Sequence, residues 1–509
     1  MNCQYQPLWP EQSNFKTFKS STLVFNIQPH EKEIFDTIAR AAEFIKVPVY
    51  VVGGYVRDRL LAKPTKDIDI VCVGDGIRLA HAVASRLAPR PRVTIYRRFG
   101  TAMLRHEGFE LEFVGARKES YRADSRKPNV EPGTLEDDQL RRDFTINALA
   151  VSLNRHDYGT ILDPFGGLEH LEMKLIKTPT DPGRTFTDDP LRMMRAIRFA
   201  TQLDFLIDEN TLRAIARYRN RIHIVSKERI ITELNKIVLA DCPSRGFKLL
   251  FKTGLLHIIL PEMVALHGVE YRNGIGHKDN FYHTLQVLDN LSNKSDDLWL
   301  RWAAILHDIA KPPTKRFNNK EGWTFHGHET LGAAMVPRIF KRLKLPLDGK
   351  MKFVRKMVQL HLRPIALTKS EITDSAVRRL LFDAGDDIDA LMLLARADIT
   401  SKNEKKVKRY LRNYELLQKR LVEVEQTDKL RNWQPPVTGN DIMATFGIPP
   451  SRQVGIIKNA LREAILDGEV KNEFADAYQF VLKKGKELGL SVHTVLDKSL
   501  AIEKEKAKT

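Results

Sequence analysis

One stretch constrains this chain more than any other: VYVVGGYVRDRLLAKPTKDIDIVCVG, beginning at Val49. An apolar, strand-like run over Val47–Val52 ends in Gly53 and Gly54. A short helix-like segment carrying Arg57 and Asp58 follows, and then a second strand holding Asp67 and Asp69. Side chains two apart on a strand share a face, so these carboxylates project together. Adjacent carboxylates repel unless a cation lies between them. Mg2+ takes a few carboxylates together with substrate phosphate oxygens. Paired glycines let a backbone approach a phosphate closely. A solvated strand face would show the same two aspartates, and only further motifs decide between the two readings.

At 509 residues the chain is expected to form three or four domains, at roughly 150 residues each. Its 42% hydrophobic and 29% charged residues fit a globular protein. No apolar run approaches the roughly 20 residues that span a bilayer, and the N-terminus has no basic-then-apolar signal pattern. Cys3, Cys72 and Cys242 are too few and too scattered for a disulfide framework or a thiolate metal site. The expected compartment is therefore the reducing cytoplasm, with no membrane partner. A net charge of +18 favours a polyanionic partner through counterion release at phosphates. The 64 acidic residues make this a mixed-charge surface with basic faces. Nothing in the sequence speaks to oligomeric state.

Residues 1–28 read as a loosely ordered arm. From 29 to 170, helical periodicity over Glu31–Ile45 is followed by strand runs Val47–Val52 and Asp67–Val73, a helix over Gly76–Leu87, and strands Arg92–Tyr96, Ala102–Arg105 and Glu110–Val114. Residues 119–139 are polar, with proline and glycine, and read as a mobile loop. Helical pattern resumes at Arg141 and dominates to the end. The segments expected beyond 170 are a helical region over 171–270, a second helical domain over 271–430, and a helical body with a basic tail over 431–509. The last boundary is the NWQPPV break at Asn432–Val437.

Three further motifs carry chemistry. On the strand around Glu110 and Glu112 the glutamates alternate with Phe109, Leu111 and Phe113. Either one can complete a three-carboxylate cluster with Asp67 and Asp69. Arg141, Arg142 and Asp143 read as the opening of an apolar helix, where paired guanidiniums clamp phosphates and a sugar. In DDPLRMMRAIRFA, Asp189 and Arg192 are three apart, one helical turn, and can present an acceptor and a donor to the edge of a base. An ordinary helical ion pair has the same spacing.

GGxVRD, DxD, RRDFTINA, DPFGG (from Asp163) and DDPLRMMRAIRFA occur in the order seen in class II tRNA nucleotidyltransferases, a family that includes CCA-adding enzymes and bacterial poly(A) polymerases. The resemblance covers about residues 30–270. It implies an α+β chain: a polymerase-β-like nucleotidyltransferase head of mixed sheet and helices, then an all-α neck and body. It assigns Asp67, Asp69 and Glu112 to two Mg2+ ions. Gly53, Gly54, Arg57, Arg141, Arg142, Asp143 and Asn147 fall to the nucleotide's phosphates and sugar. Asp189 and Arg192 read the base, with Arg195 and Arg198 on the same helix. The family's base-reading motif usually runs Glu-Asp-x-x-Arg; here Asp188 replaces the first acid. Ser226, Glu228 and Arg229 resemble a helix-stabilising neck motif. The implied activity is addition of CTP- and ATP-derived nucleotides to the 3′ end of tRNA. Poly(A) synthesis, or addition of A or C alone, remains open.

A second set of polar residues interrupts apolar helical patterns: His283, His307, Asp308, His361 and Asp398. Burying such groups is costly unless they are paired or bound to metal. Imidazole with carboxylate suits a divalent ion whose identity the sequence does not give. Their order resembles an HD-superfamily phosphohydrolase domain over about 275–400, with His328 as an additional ligand candidate. That resemblance implies phosphohydrolase capacity at RNA ends, or a region that has lost activity and serves as body structure. Gly439 through Gly468 resembles a segment that often follows it.

Overall fold

The computed structural model describes residues 24–97, 100–120, 129–367, 373–400, 403–428 and 433–496. Helix α1 (Pro29–Ile45) buries Ile34, Phe35, Ile38, Ala41 and Ala42, the stripe that a 3.6-residue period brings to one face. Strand β1 (Val49–Val52) leads through α2 (Gly54–Leu60) into β2 (Asp67–Cys72). Helix α3 (Gly76–Ala84) follows, with Asp75 capping it by accepting from the Ile77 and Arg78 amides. Strands β3 (Thr94–Tyr96), β4 (Thr101–His106) and β5 (Phe109–Gly115) complete one side of the sheet. On β2 and β5, Ile68, Ile70, Leu111 and Phe113 are fully buried. The acids between them therefore face the other side of the sheet. A methyl group on Gly76 would lie 2.8 Å from the Val114 carbonyl carbon, so glycine is what lets α3 lie directly on β5.

The polar stretch after β5 is more ordered than its composition suggests. Strands β6 (Arg117–Ser120) and β7 (Asn129–Pro132) pair antiparallel, and α4 (Leu135–Leu140) follows with a Thr134–Asp137 capping box. The centre of the expected loop, 121–128, lies outside the described residues. Arg141 does not open a helix. It ends α4, and the chain makes one tight turn over Thr145–Asn147 before entering β8 (Ala150–Ser152) and β9 (Ile161–Leu162). Val51 pairs with Val151, so β8 is buried beside β1. A short, uninterrupted apolar run carries no period that separates strand from helix. The sheet order is β3-β4-β5-β2-β1-β8-β9. Among the described residues of this sheet, only β2 and β5 are parallel neighbours. The stretch expected to be a loose arm is partly tied down: Val24 bridges Thr160, and Phe25 is buried with its amide donating to the Gly159 carbonyl at 2.8 Å. Residues 1–23 and 497–509 lie outside the described residues.

Beyond α5 (Gly167–Glu172), α6 (Pro182–Asp188) gives way at Asp189-Pro190 to α7 (Leu191–Leu203), which packs on α9 (Lys227–Val238) after α8 (Glu209–Tyr218). These elements and the sheet form one compact unit, which holds the chain to Val264. Most of the remaining chain forms a second, mainly helical unit. It includes helices Asn280–Ser292, Leu298–Leu306, Gly349–Leu360 and Ile388–Asp398. Two short hairpins pair Tyr271–Arg272 with Ile275–Gly276 and Arg316–Asn318 with Gly322–Thr324. Its last three helices, Gly439–Phe446, Arg452–Asp467 and Phe474–Glu487, share a core around Ile442, Ile457, Leu461 and Val481. Cys72 is free and buried. Among the described residues no helix is long and apolar enough to cross a membrane.

Candidate functional site

At the end of β1, Gly53 adopts φ +80°, and a methyl group there would meet Arg142 Nη1 at 2.6 Å and Asp69 Oδ2 at 3.2 Å. Glycine therefore lets the strand end, an acid and a guanidinium converge. The Gly53 amide donates to the Leu149 carbonyl at 3.1 Å, so this N–H serves the sheet. The parallel register sets Asp69 opposite Glu112 and Asp67 opposite Glu110. Burial raises the Asp69 carboxyl above its ordinary range, with Asp67 and Asp138 adding to the rise and Arg142 opposing it. Burial and the neighbouring Asp69 likewise raise Glu112, while Thr101 bonds to it and opposes the rise. Raised carboxyls side by side mark a place where added positive charge is favourable.

Asp69 and Glu112 line a cavity of about 710 Å3. Asp67 is exposed at the start of β2 and is not part of that lining. The expected trio is thus collected only as a facing pair with a third acid beside it. Eight arginines line the cavity against five acids, an excess that suits a polyphosphate.

Most of these guanidiniums are held by partners that fix their direction. Asp138, fully buried, lies between Arg141 and Arg142 and pairs with both. Burial would raise Asp138, but the two arginines outweigh it and hold its carboxyl below the ordinary range. Arg141 also donates to Glu119 at 3.2 Å. Arg57 grips its neighbour Asp58 through two bonds of 2.8 and 2.7 Å and donates to Asn147 Oδ1 at 2.6 Å. Asp143 accepts from Asn147 Nδ2 and the Phe144 amide, both at 2.9 Å, and from Arg195 Nε at 2.7 Å. Burial alone would raise Asp143, but Arg195 foremost holds it at about 2. Arg198 pairs with Glu233 at 2.5 Å. Arg57, Arg195 and Arg198 all lie over the Phe199 ring, at 4.8, 5.3 and 3.8 Å from its centre.

Asp189 has an extended backbone just before α7, and its carbonyl accepts from the Arg192 amide at 3.0 Å, one turn on. One of its carboxylate oxygens accepts from the Leu191 amide at 3.1 Å, and the other faces Arg229 at 3.5 Å. Arg192 donates to the Arg141 carbonyl at 2.6 Å, and both Asp189 and Arg192 line the cavity. Pro190 separates them, and its ring fixes the chain at the first turn of α7. Gly54, Arg57, Arg141, Arg142, Asp143, Asn147, Arg195 and Arg198 line the same cavity. Sequence reading missed Asp138 and Phe199, and gave Arg229 and Glu233 to the neck motif and not to this cavity. For Asp138 a signal existed: it stands three and four residues before the arginines, the spacing of helical ion pairs.

The second set also converges. Ligand atoms of His283, His307 and Asp398 lie within 4.8 Å of one another, as do those of Asp308, His328 and His361. Asp308 links the two groups, approaching His307 Nε2 and His328 Nε2 at 3.2 Å and His283 Nε2 at 3.5 Å. His307, His328 and His361 each direct Nδ1 at a carbonyl three residues earlier: Ala304, Phe325 and Val358, at 2.8, 2.7 and 2.7 Å. A carbonyl only accepts, so each Nδ1 carries a proton, and in the neutral ring Nε2 carries the lone pair. Those three Nε2 atoms are buried without a well-directed hydrogen bond, although Asp308 oxygens lie 3.2 Å from two of them. Buried polar atoms left this way are rare, and a divalent ion held by either group would satisfy the nitrogens of that group. Burial pushes His361 down to about 4, which keeps it neutral and able to ligate. Burial works against charge on His307, but Asp308 and Asp398 outweigh it. His283 Nε2 lies 2.9 Å from Asp398 Oδ1, and its Nδ1 faces Lys278 Nζ at 2.8 Å. His328 thus belongs with the ligand candidates.

Residues 49–177 match the family model of the Poly A polymerase head domain, 204–266 that of a probable RNA and SrmB-binding site of polymerase A, and 280–403 that of the HD domain. A CCA-adding enzyme of Pediococcus pentosaceus is 30% identical over 457 residues, 87% of this chain and 96% of that protein. An A-adding tRNA nucleotidyltransferase of Deinococcus radiodurans is 31% identical over 350 residues, 67% of this chain and 77% of that one. In fold, the chain is similar to a Thermotoga maritima CCA-adding enzyme solved in complex with tRNA-CCA. That likeness has a TM-score of 0.57 at 20% identity and covers 90% of this chain and 96% of the other.

Proposed function

Because the chain belongs to the tRNA nucleotidyltransferase and poly(A) polymerase family, we propose that it extends the 3′ end of tRNA with nucleotides from CTP and ATP. The observation that carries this reading is the Asp69–Glu112 pair at the edge of an arginine-lined cavity. The terminal ribose hydroxyl of the tRNA attacks the α-phosphate, forming a new P–O bond and releasing pyrophosphate. Asp69 and Glu112, with Asp67 beside them, would hold Mg2+, which supplies activation of the hydroxyl and neutralisation of the leaving group. Arg141 and Arg142, fixed by Asp138, orient the triphosphate. Asp143 keeps Arg195 and Asn147 in place. Asp189 and Arg192 present an acceptor and donors to the base, so protein groups stand where a template strand would.

Labelled CTP and ATP offered to tRNA lacking its 3′ end provide the test. Asp69→Ala is expected to abolish incorporation, and retained incorporation rejects the assignment. Product lengths with each nucleotide alone and combined separate CCA addition from A-only, C-only and poly(A) synthesis. The domain limits expected from sequence and a cytoplasmic location belong to this same reading.

The second unit supports a second activity. Three buried imidazole nitrogens around Asp308 favour a metal-dependent phosphohydrolase acting on 2′,3′-cyclic phosphates or phosphomonoesters at RNA ends. A bound divalent cation there would polarise the phosphate and lower the pKa of a bound water. Lys311, 2.6 Å from Asp308, orients that carboxylate. Asp308→Ala is expected to abolish phosphate release together with metal content, and unchanged release in that variant overturns the reading.

A further inference from the structure

The two hairpins of the second unit carry a run of aromatic and cationic side chains beside the proposed ligands, of which only Lys278 and Lys311 touch those ligands. It begins at the metal-ligand cluster. Phe325, whose carbonyl accepts from His328, has Lys311 Nζ 5.6 Å from its ring centre, and the same Lys311 reaches Asp308. The His277 ring lies edge-on 5.9 Å from Phe325 and 5.5 Å from Trp323. Trp323 lies 5.2 Å from Phe317, and Arg272 stands 4.9 Å over that ring. The Trp323 indole N–H donates to the Ile275 carbonyl at 3.0 Å, which ties the two hairpins together. Tyr271 is 76% exposed and Ile275 46%. His277, Phe317, Trp323 and Phe325 are half-buried, leaving part of each ring to solvent.

Charge chooses between occupants for this surface. Stretches 270–278 and 311–325 hold six lysines and arginines against Glu270 and Glu321, and Glu270 already pairs with Lys315. A protein-binding patch built on aromatic anchors is depleted in lysine. Successive π faces interleaved with cations are the chemistry that holds single-stranded nucleic acid, where each base stacks on an aromatic ring. We propose that the two hairpins form a stacking platform for a single-stranded RNA 3′ end, and that they deliver its terminal phosphate to the His307–Asp308 cluster. The platform rests on the reading of that cluster as a phosphate-processing centre. It adds how the substrate is recognised: by unpaired bases next to the phosphate, without sequence readout.

The test uses the full chain and a short oligouridylate ending in 4-thiouridine 2′,3′-cyclic phosphate, irradiated and mapped by peptide mass spectrometry. Crosslinks are expected in peptides covering 271–277 and 317–325. Tyr271→Ala, at an exposed position that does not threaten folding, and Trp323→Leu are each expected to lower their yield about fivefold or more. Crosslinks to the first unit serve as the internal control and stay constant. Unchanged hairpin yield in both variants, or crosslinks confined to the first unit, overturns the platform. So does a hairpin surface that gives no crosslink but drives concentration-dependent self-association. Hydrolysis of the cyclic phosphate is measured on the same samples. Hydrolysis without hairpin crosslinks removes the platform alone. Crosslinks without hydrolysis remove the phosphohydrolase reading and the delivery step with it, and leave only the stacking of RNA on the hairpins.

Discussion

Replacing Asp143 with asparagine separates the charge of this residue from its hydrogen bonds. Its oxygens accept from Asn147, the Phe144 amide and Arg195. An asparagine oxygen keeps the first two and leaves Arg195 facing a neutral amide. The Asp143 carboxyl sits at about 2 against an ordinary 3.8. At roughly 1.4 kcal/mol per tenfold change in proton affinity, that gap corresponds to about 2 kcal/mol of stability from ionisation. The residue is buried, so solvent screens little of it. A depressed carboxyl contributes fully above its unfolded pKa, and the contribution is lost as pH falls through the folded value. The difference between wild type and Asp143→Asn is therefore expected to be about 2 kcal/mol at pH 7 and ~1 kcal/mol at pH 3. Hydrogen exchange of peptides spanning 141–153 and 191–203, corrected for intrinsic rates, reads it locally, where global unfolding of a multidomain chain would not be two-state. A difference that is the same at both pH values would refute the electrostatic account. Pairing the change with Arg195→Met should recover much of the loss, since each then lacks the partner that made the other costly.

Two further outcomes follow from the first site. Gly53→Ala is expected to destabilise the first unit by about 1–3 kcal/mol, because φ +80° strains any side chain. The same variant should weaken nucleotide binding by displacing Arg142, with an unchanged nucleotide KM as the contrary result. Arg192→Ala should blur discrimination among the four nucleotides more than it slows turnover with a correct one. An equal loss for all four, measured as kcat/KM ratios, would remove its base-reading role.

What was legible in the sequence follows from the range of the forces involved. Alternation of Ile68 and Ile70 with Asp67 and Asp69 announces a strand with an acidic face, because the two-residue period is local. The pairing of Asp69 with Glu112 is not local: it depends on β2 and β5 meeting in parallel across 43 residues, and without it Glu110 and Glu112 are equivalent. The strand β8 was read as helix because Ala148–Val151 offers no period to decide between them. Phe199 sits in an apolar helical pattern and reads as core, yet three guanidiniums gather on its ring. Only tertiary packing reveals that. The second cluster was easier, since His307, His361 and Asp398 are expensive in apolar helices wherever those helices go.

The three carbonyl contacts of His307, His328 and His361 have a consequence for how this cluster can change over evolutionary time. Ligating imidazoles commonly take their orientation from a neighbouring carboxylate, which a single base change can remove. Here the orienting groups are main-chain oxygens three residues upstream of each ring. No substitution at Ala304, Phe325 or Val358 deletes a carbonyl, so the tautomers survive drift at those positions. The mutational target shrinks to the ligands themselves and to changes, such as proline, that redirect the backbone. A cluster wired this way can keep its ligand geometry while the sequence around it diverges.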